Sequence, residues 1–87
     1  MKEEQLIQMG VDAENLLSTD IFNTTINQLV EASFQTFTGS KPDEMEKREQ
    51  AYHHYRALVD IVQTLQQRVS VKDEIVAKAD NSNQEEE

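Results

Sequence analysis

His53 and His54 are the side chains best equipped for chemistry in this 87-residue sequence, and their spacing limits what they can do. Neighbours on a helix project about 100° apart, so adjacent imidazoles are poorly placed to ligate one metal ion from a common face. A carboxylate-bridged metal site in a helical bundle uses Glu-x-x-His. The residues three before His53 and His54 are Gln50 and Ala51. Glu49 and His53 are four apart and could share an ion, but one such pair does not make a site. Because histidine titrates near neutrality, the pair also suits a pH-sensitive interface. On an exposed helix face it is equally at home as two surface residues.

Hydrolytic chemistry lacks its parts. There is no cysteine, and no serine lies in a G-x-S-x-G turn. Gly10 and Gly39 are too far apart to form a phosphate-cradling loop. Glu44 and Glu46 fall on a charged helix surface, where carboxylates serve solubility. The sequence predicts no enzyme, no cofactor and no bound metal.

Tyr52 and Tyr55 offer binding rather than catalysis. They adjoin Arg48, Arg56 and the two histidines, a tyrosine–arginine combination that suits interaction hot spots because rigid amphipathic rings bury area at little entropic cost. Tyr55 also reads as a core residue, packed near Phe34 or Phe37, with Tyr52 flanking it.

These residues are positioned by a long helix, predicted over 41–79. Ala51, Tyr55, Leu58, Val62, Leu65, Val69 and Val76 recur three, four or seven apart, the spacing of one helix face. Ser40 can cap its start, Pro42 fits the first turn and Asp43 can complete a capping box. Asp43 with Lys47 and Glu44 with Arg48 have the spacing of helical ion pairs. A preceding helix is predicted over 19–37. It starts at Ser18-Thr19-Asp20, three good caps, and carries Phe22, Ile26, Leu29, Val30, Ser33 and Phe37 on one stripe, widened by Phe34. Thr38-Gly39 should end it, with Gly39 in the left-handed conformation. The short connection implies an antiparallel hairpin. Residues 1–17 form an opening segment in which Gly10 divides two short helical turns. Asp80 to Glu87 has no apolar residue and reads as a disordered acidic tail.

The fold class expected is therefore all-α: an antiparallel helical hairpin with a short N-terminal helical segment, one domain over 1–79, and the tail over 80–87. A 39-residue helix runs roughly 57 Å and its partner about 28 Å, so the first helix covers the second only to about Ile61. Leu65, Val69 and Val76 need another cover: the opening segment can fold over some of them and a second copy of the chain can cover the rest. A break near Val69-Ser70-Val71 is the alternative. The seven-residue step from Tyr55 through Val62 and Val69 to Val76 suits coiled-coil packing, although Lys72 occupies an expected apolar position.

Composition points the same way. A domain this small has little core, and without disulfides or metals association is the favoured remedy. Charge is uneven: one lysine faces six carboxylates in residues 1–40, seven bases balance seven acids in 41–79, and 80–87 adds four carboxylates. A net charge of -9 disfavours nucleic acid. Met1-Lys2-Glu3-Glu4 is polar, so no secretory leader is predicted, and no stretch is long enough to span a membrane.

The run Arg48-Glu49-Gln50-Ala51-Tyr52, followed by Tyr55-Arg56-Ala57-Leu58, resembles small helical-hairpin proteins encoded among the structural and packaging genes of tailed bacteriophages. Asp20-Ile21-Phe22-Asn23, with a helix closing on Phe34 to Thr38, is similar to their first helix. The resemblance spans about residues 14–69 of the sequence. It implies a virion-assembly or virion-associated role, in the host cytoplasm or the virion, and supplies no site residues. The interface expected is Tyr52, Tyr55, Val62, Leu65, Val69 and Val76, taking a protein partner, either another copy or a larger phage assembly. Two alternatives stand beside it: a small terminase-like packaging factor that binds DNA as a ring, and an acidic inhibitor occupying a host protein's nucleic-acid site.

Overall fold

A computed structural model of the chain describes the backbone of residues 2–85 and the side chains of residues 2–81. The described residues are all-α: α1 Glu3–Leu17, α2 Asp20–Thr38 and α3 Met45–Glu85, with no strand. They divide into two compact units, each taking part of α3.

Among the described residues the first unit comprises 2–18 and 63–85. Its α1 passes through Gly10 without a break, where two separate turns were expected. The reason is packing. Gly10 and Ala13, one turn apart, are its buried residues, and a side chain at position 10 would meet Lys72 Cβ and lie 2.7 Å from the Arg68 carbonyl oxygen. Glycine costs about 1 kcal/mol in helix propensity, and the close helix approach that it permits offsets this. Lys72, the cation on an otherwise apolar register, is half-buried over Gly10, and its ammonium lies 2.7 Å from Glu14 Oε2 and 3.0 Å from Asp73 Oδ1. Ser18 closes α1 by donating from its hydroxyl to the Glu14 carbonyl at 2.8 Å.

The second unit comprises residues 19–62. Thr19 caps α2, its hydroxyl accepting from the Phe22 N–H at 3.3 Å. At the other end, Gly39 has φ −84° and ψ −3° and donates its N–H to the Gln35 carbonyl at 2.8 Å. The expected left-handed cap is absent because Ser40 closes the helix instead. Its hydroxyl donates to the Phe37 carbonyl at 2.7 Å, and so does not cap α3.

α3 starts at Met45, later than the expected 41. Residues 41–44 form a turn closed twice: the Glu44 N–H donates to the Lys41 carbonyl at 2.9 Å, and the Lys41 N–H donates to Glu44 Oε1 at 2.8 Å. That backbone hydrogen bond is the main reason the Glu44 carboxyl lies below its usual pKa. Asp43 is thereby outside the helix, and Lys47 pairs with Glu44 at 3.7 Å rather than with Asp43. α3 continues unbroken through Val69-Ser70-Val71. It also runs past 79 through Asp80 and Asn81 to Glu85, where an unstructured tail was expected, since each residue added to a helix gains one backbone bond. Glu86 and Glu87, the end of that expected tail, lie outside the described residues.

Candidate protein-interaction surface

Burial is the feature that defines the surface. Among the described residues the buried hydrophobic side chains are Ala13 and Ala51, and no large side chain is fully buried. Ala51 sits on the seam where α2 and the first part of α3 line common hollows. Its small size lets the helices approach, and the larger apolar residues are displaced to either side.

On one side stand Phe34 and Phe37 of α2 with Tyr52 and Tyr55 of α3, around a hollow of about 320 Å³. Met45 extends this side next to Phe37 and Tyr52. Tyr55 was expected in the core near Phe34 or Phe37. The neighbourhood is as expected but the burial is not, for its ring remains 41% exposed. Tyr52 is 52% exposed and makes an edge-on contact with the His53 ring, centroids 6.0 Å apart.

Arg48 holds this side in place. One guanidinium nitrogen donates to the Lys41 carbonyl at 2.5 Å and a second to the Pro42 carbonyl at 3.1 Å. The first also reaches Ser40 Oγ at 3.5 Å. A planar fork with several donors suits two carbonyls of one turn. The interhelical connection is thus tied to the first turns of α3, between Met45 and Tyr52. The expected Glu44–Arg48 ion pair gives way to these carbonyls, because Glu44 is engaged with the turn.

The remaining expected interface residues fall elsewhere. Val62 is half-buried at the end of the second unit. In the first unit Leu65 and Val69 are half-buried and Val76 is 42% exposed. That unit has its own hollow, lined by Leu6 and Met9 of α1 with Thr64, Gln67, Arg68 and Val71 of α3. The opening segment therefore shares a compact unit with the later part of the α3 stripe. Phe34, Phe37 and Met45 were not among the expected interface residues. The signal that could have found them is the charge content of α2: its 19 residues include only Asp20 and Glu31 as charged side chains, and charge depletion marks surfaces destined for an interface.

His53 and His54 diverge as their spacing requires. His53 borders the aromatic side with Glu49, and His54 faces the opposite hollow beside Lys47. Among the described residues no group of three or more His, Asp or Glu side chains could hold a metal ion. Among the described residues no helix is long and apolar enough to cross a membrane.

Comparison with known protein families, with curated proteins and with solved structures returns no match.

Proposed function

We propose that this chain is a non-enzymatic helical assembly protein, an antiparallel α2–α3 hairpin extended by α1, whose work is to bury helical faces against a protein partner. The observation that carries this reading is the near absence of a core. Ala13 and Ala51 are buried, whereas Ile21, Phe34, Met45 and Tyr52 are each more than half exposed. Fixing a residue's backbone costs about 1–2 kcal/mol, and two buried alanines with a set of half-buried apolar side chains leave little to set against it. Association removes the exposed apolar surface from water and supplies the difference.

Protein is favoured over nucleic acid as the partner because the net charge is -9 and five of the eight cations are engaged. Lys47, Arg56, Lys72 and Lys78 each lie within 4.0 Å of a carboxylate, and Arg48 is committed to backbone carbonyls. The resemblance of residues 14–69 to phage hairpin proteins favours virion assembly, in the host cytoplasm or the particle itself, as the setting.

Solution mass by light scattering across a dilution series at moderate salt tests the reading. The expected result is a mass above the 10.0 kDa of the single chain, falling only at high dilution. A clean monomer throughout would rule out self-association and leave docking on a different protein as the remaining form of the idea.

A further inference from the structure

The two sides of the α2–α3 seam differ in the size of what they present. Ser33 and Ala51 line the hollows on both sides and so mark the seam itself. With about 100° between successive residues, positions 34 and 37 fall on one side of Ser33, and positions 29, 32 and 36 on the other. The same division separates positions 45, 52 and 55 from 54 and 57 about Ala51. One side therefore carries Phe34, Phe37, Met45, Tyr52 and Tyr55, each more than 40% exposed. The other is a groove of about 560 Å³ with a mixed lining, in which Ala32, Thr36 and Ala57 are short and Leu29, Lys47, Gln50, His54 and Leu58 are longer.

Resting on the assembly reading above, we propose that the aromatic side of one copy seats in the groove of a second copy. Projecting rings fit a groove where Ala32, Thr36 and Ala57 leave room between longer side chains, and both halves of the match lie on this one chain. Pairing the aromatic side with itself would set bulk against bulk and leave the groove open. The area is also of the right order. Half-exposed aromatic and methionine side chains present about 100 Å² each, so these five give roughly 500 Å², a large part of the ~800 Å² that each partner contributes to a standard interface. Charge opposes the contact only weakly, because α2 brings only Asp20 and Glu31 as charged side chains. Because the contact joins two different patches, every copy keeps one free patch of each kind. The assembly then grows into a closed ring or an open filament.

Complementation tests this directly. The aromatic side is disabled by Phe34→Glu with Tyr52→Glu, and the groove by Ala32→Glu with Ala57→Glu. All four positions are exposed, and giving both variants acidic changes prevents the altered faces from attracting each other. Far-ultraviolet circular dichroism checks that each variant stays helical; Met45→Glu and Thr36→Glu replace any pair that does not. The wild type is expected to form oligomers and each variant to be monomeric. An equimolar mixture should form a 1:1 dimer of twice the single-chain mass and nothing larger. If the mixture stays monomeric, or the groove variant dimerises alone while the aromatic variant cannot, the head-to-tail contact is wrong although the assembly reading survives. A wild type that is monomeric at every concentration overturns the contact and self-association together.

Discussion

Gly10 of α1 lies against Lys72 of α3 so closely that a Cβ at position 10 would overlap the Lys72 Cβ and come within 2.7 Å of the Arg68 carbonyl oxygen. Lysine side chains bend, but a helix carbonyl does not move without moving the helix. This sets two effects of Gly10→Ala against each other. Alanine improves helix propensity by about 1 kcal/mol, whereas overpacking a close helix contact costs about 1–3 kcal/mol. The backbone clash decides for the second, so Gly10→Ala should lower stability by about 1 kcal/mol and Gly10→Leu by more. Urea denaturation followed at 222 nm measures this; a more stable alanine variant would show that α1 does not pack where it is placed.

Lys72 carries a pH dependence of its own. Its hydrogen bond to Glu14, then that to Asp73, raises its pKa above the ordinary lysine value of 10.5. A raised pKa means that the folded chain holds the proton more tightly than the unfolded chain. The contribution is therefore complete below the ordinary lysine range and is lost as pH rises through the raised value. Thermal stability should fall in that alkaline window, and Lys72→Met should make the fall shallower. An unchanged alkaline limb in the variant would assign the loss to other groups.

Glu44 gives the opposite limb. Its carboxyl is held below its ordinary value of 4.5 first by the Lys41 N–H and also by Lys47. A depressed pKa contributes stability above the ordinary carboxylate range that disappears as pH falls through the lowered value. Glu44→Gln keeps an acceptor for the Lys41 N–H but removes the charge, so its acid unfolding profile should be flatter below about pH 4.5 than that of the wild type. Equal acid sensitivity in both would mean that the turn does not depend on the ionised carboxylate.

Arg48 separates charge from shape. Its fork bridges the Lys41 and Pro42 carbonyls, which a single ammonium cannot reproduce. Arg48→Lys should therefore recover less than half of what Arg48→Ala loses, about 1–3 kcal/mol for hydrogen bonds from a charged donor. Chemical denaturation gives the stability difference, and limited proteolysis between Gly39 and Glu44 shows whether the turn has loosened. If lysine restores full stability, the contact is electrostatic and the geometry of the fork is incidental.

How far the sequence could be read depended on whether a signal was periodic or local. The α2 stripe and the long second helix were legible because apolar spacing reports the period directly, and Thr19 acts as the cap its position suggests. Caps and turns at the other junctions were not. Ser40 and Glu44 are taken by partners three residues back, Phe37 and Lys41, and Arg48 by carbonyls of the turn six and seven residues back. Gly10 was misread for a related reason: its value lies in what α3 places beside it, 58 or more residues away in sequence. The candidate surface was half legible. Tyr52 and Tyr55 stood out beside arginine, but Phe34 and Phe37 belong to a regular stripe that reads as core until it is clear how little covers them.

That distinction between covered and uncovered stripes gives the last prediction. Leu65 and Val69 were expected at the interface because the first helix is too short to cover them, yet they are half-buried in a unit that also contains α1. Placing charge there without a partner costs several kcal/mol if the site stays dry. Leu65→Asp with Val69→Asp should therefore reduce helicity and the cooperativity of unfolding, because both residues are half-buried in the unit that α1 belongs to. Phe34→Glu with Tyr52→Glu changes residues that are 60% and 52% exposed, so helicity should hold while oligomer mass falls. Circular dichroism and light scattering on both double variants separate the two roles. If the Leu65 and Val69 changes leave folding intact and abolish oligomers, the later part of α3 is the assembly face and the aromatic side is not.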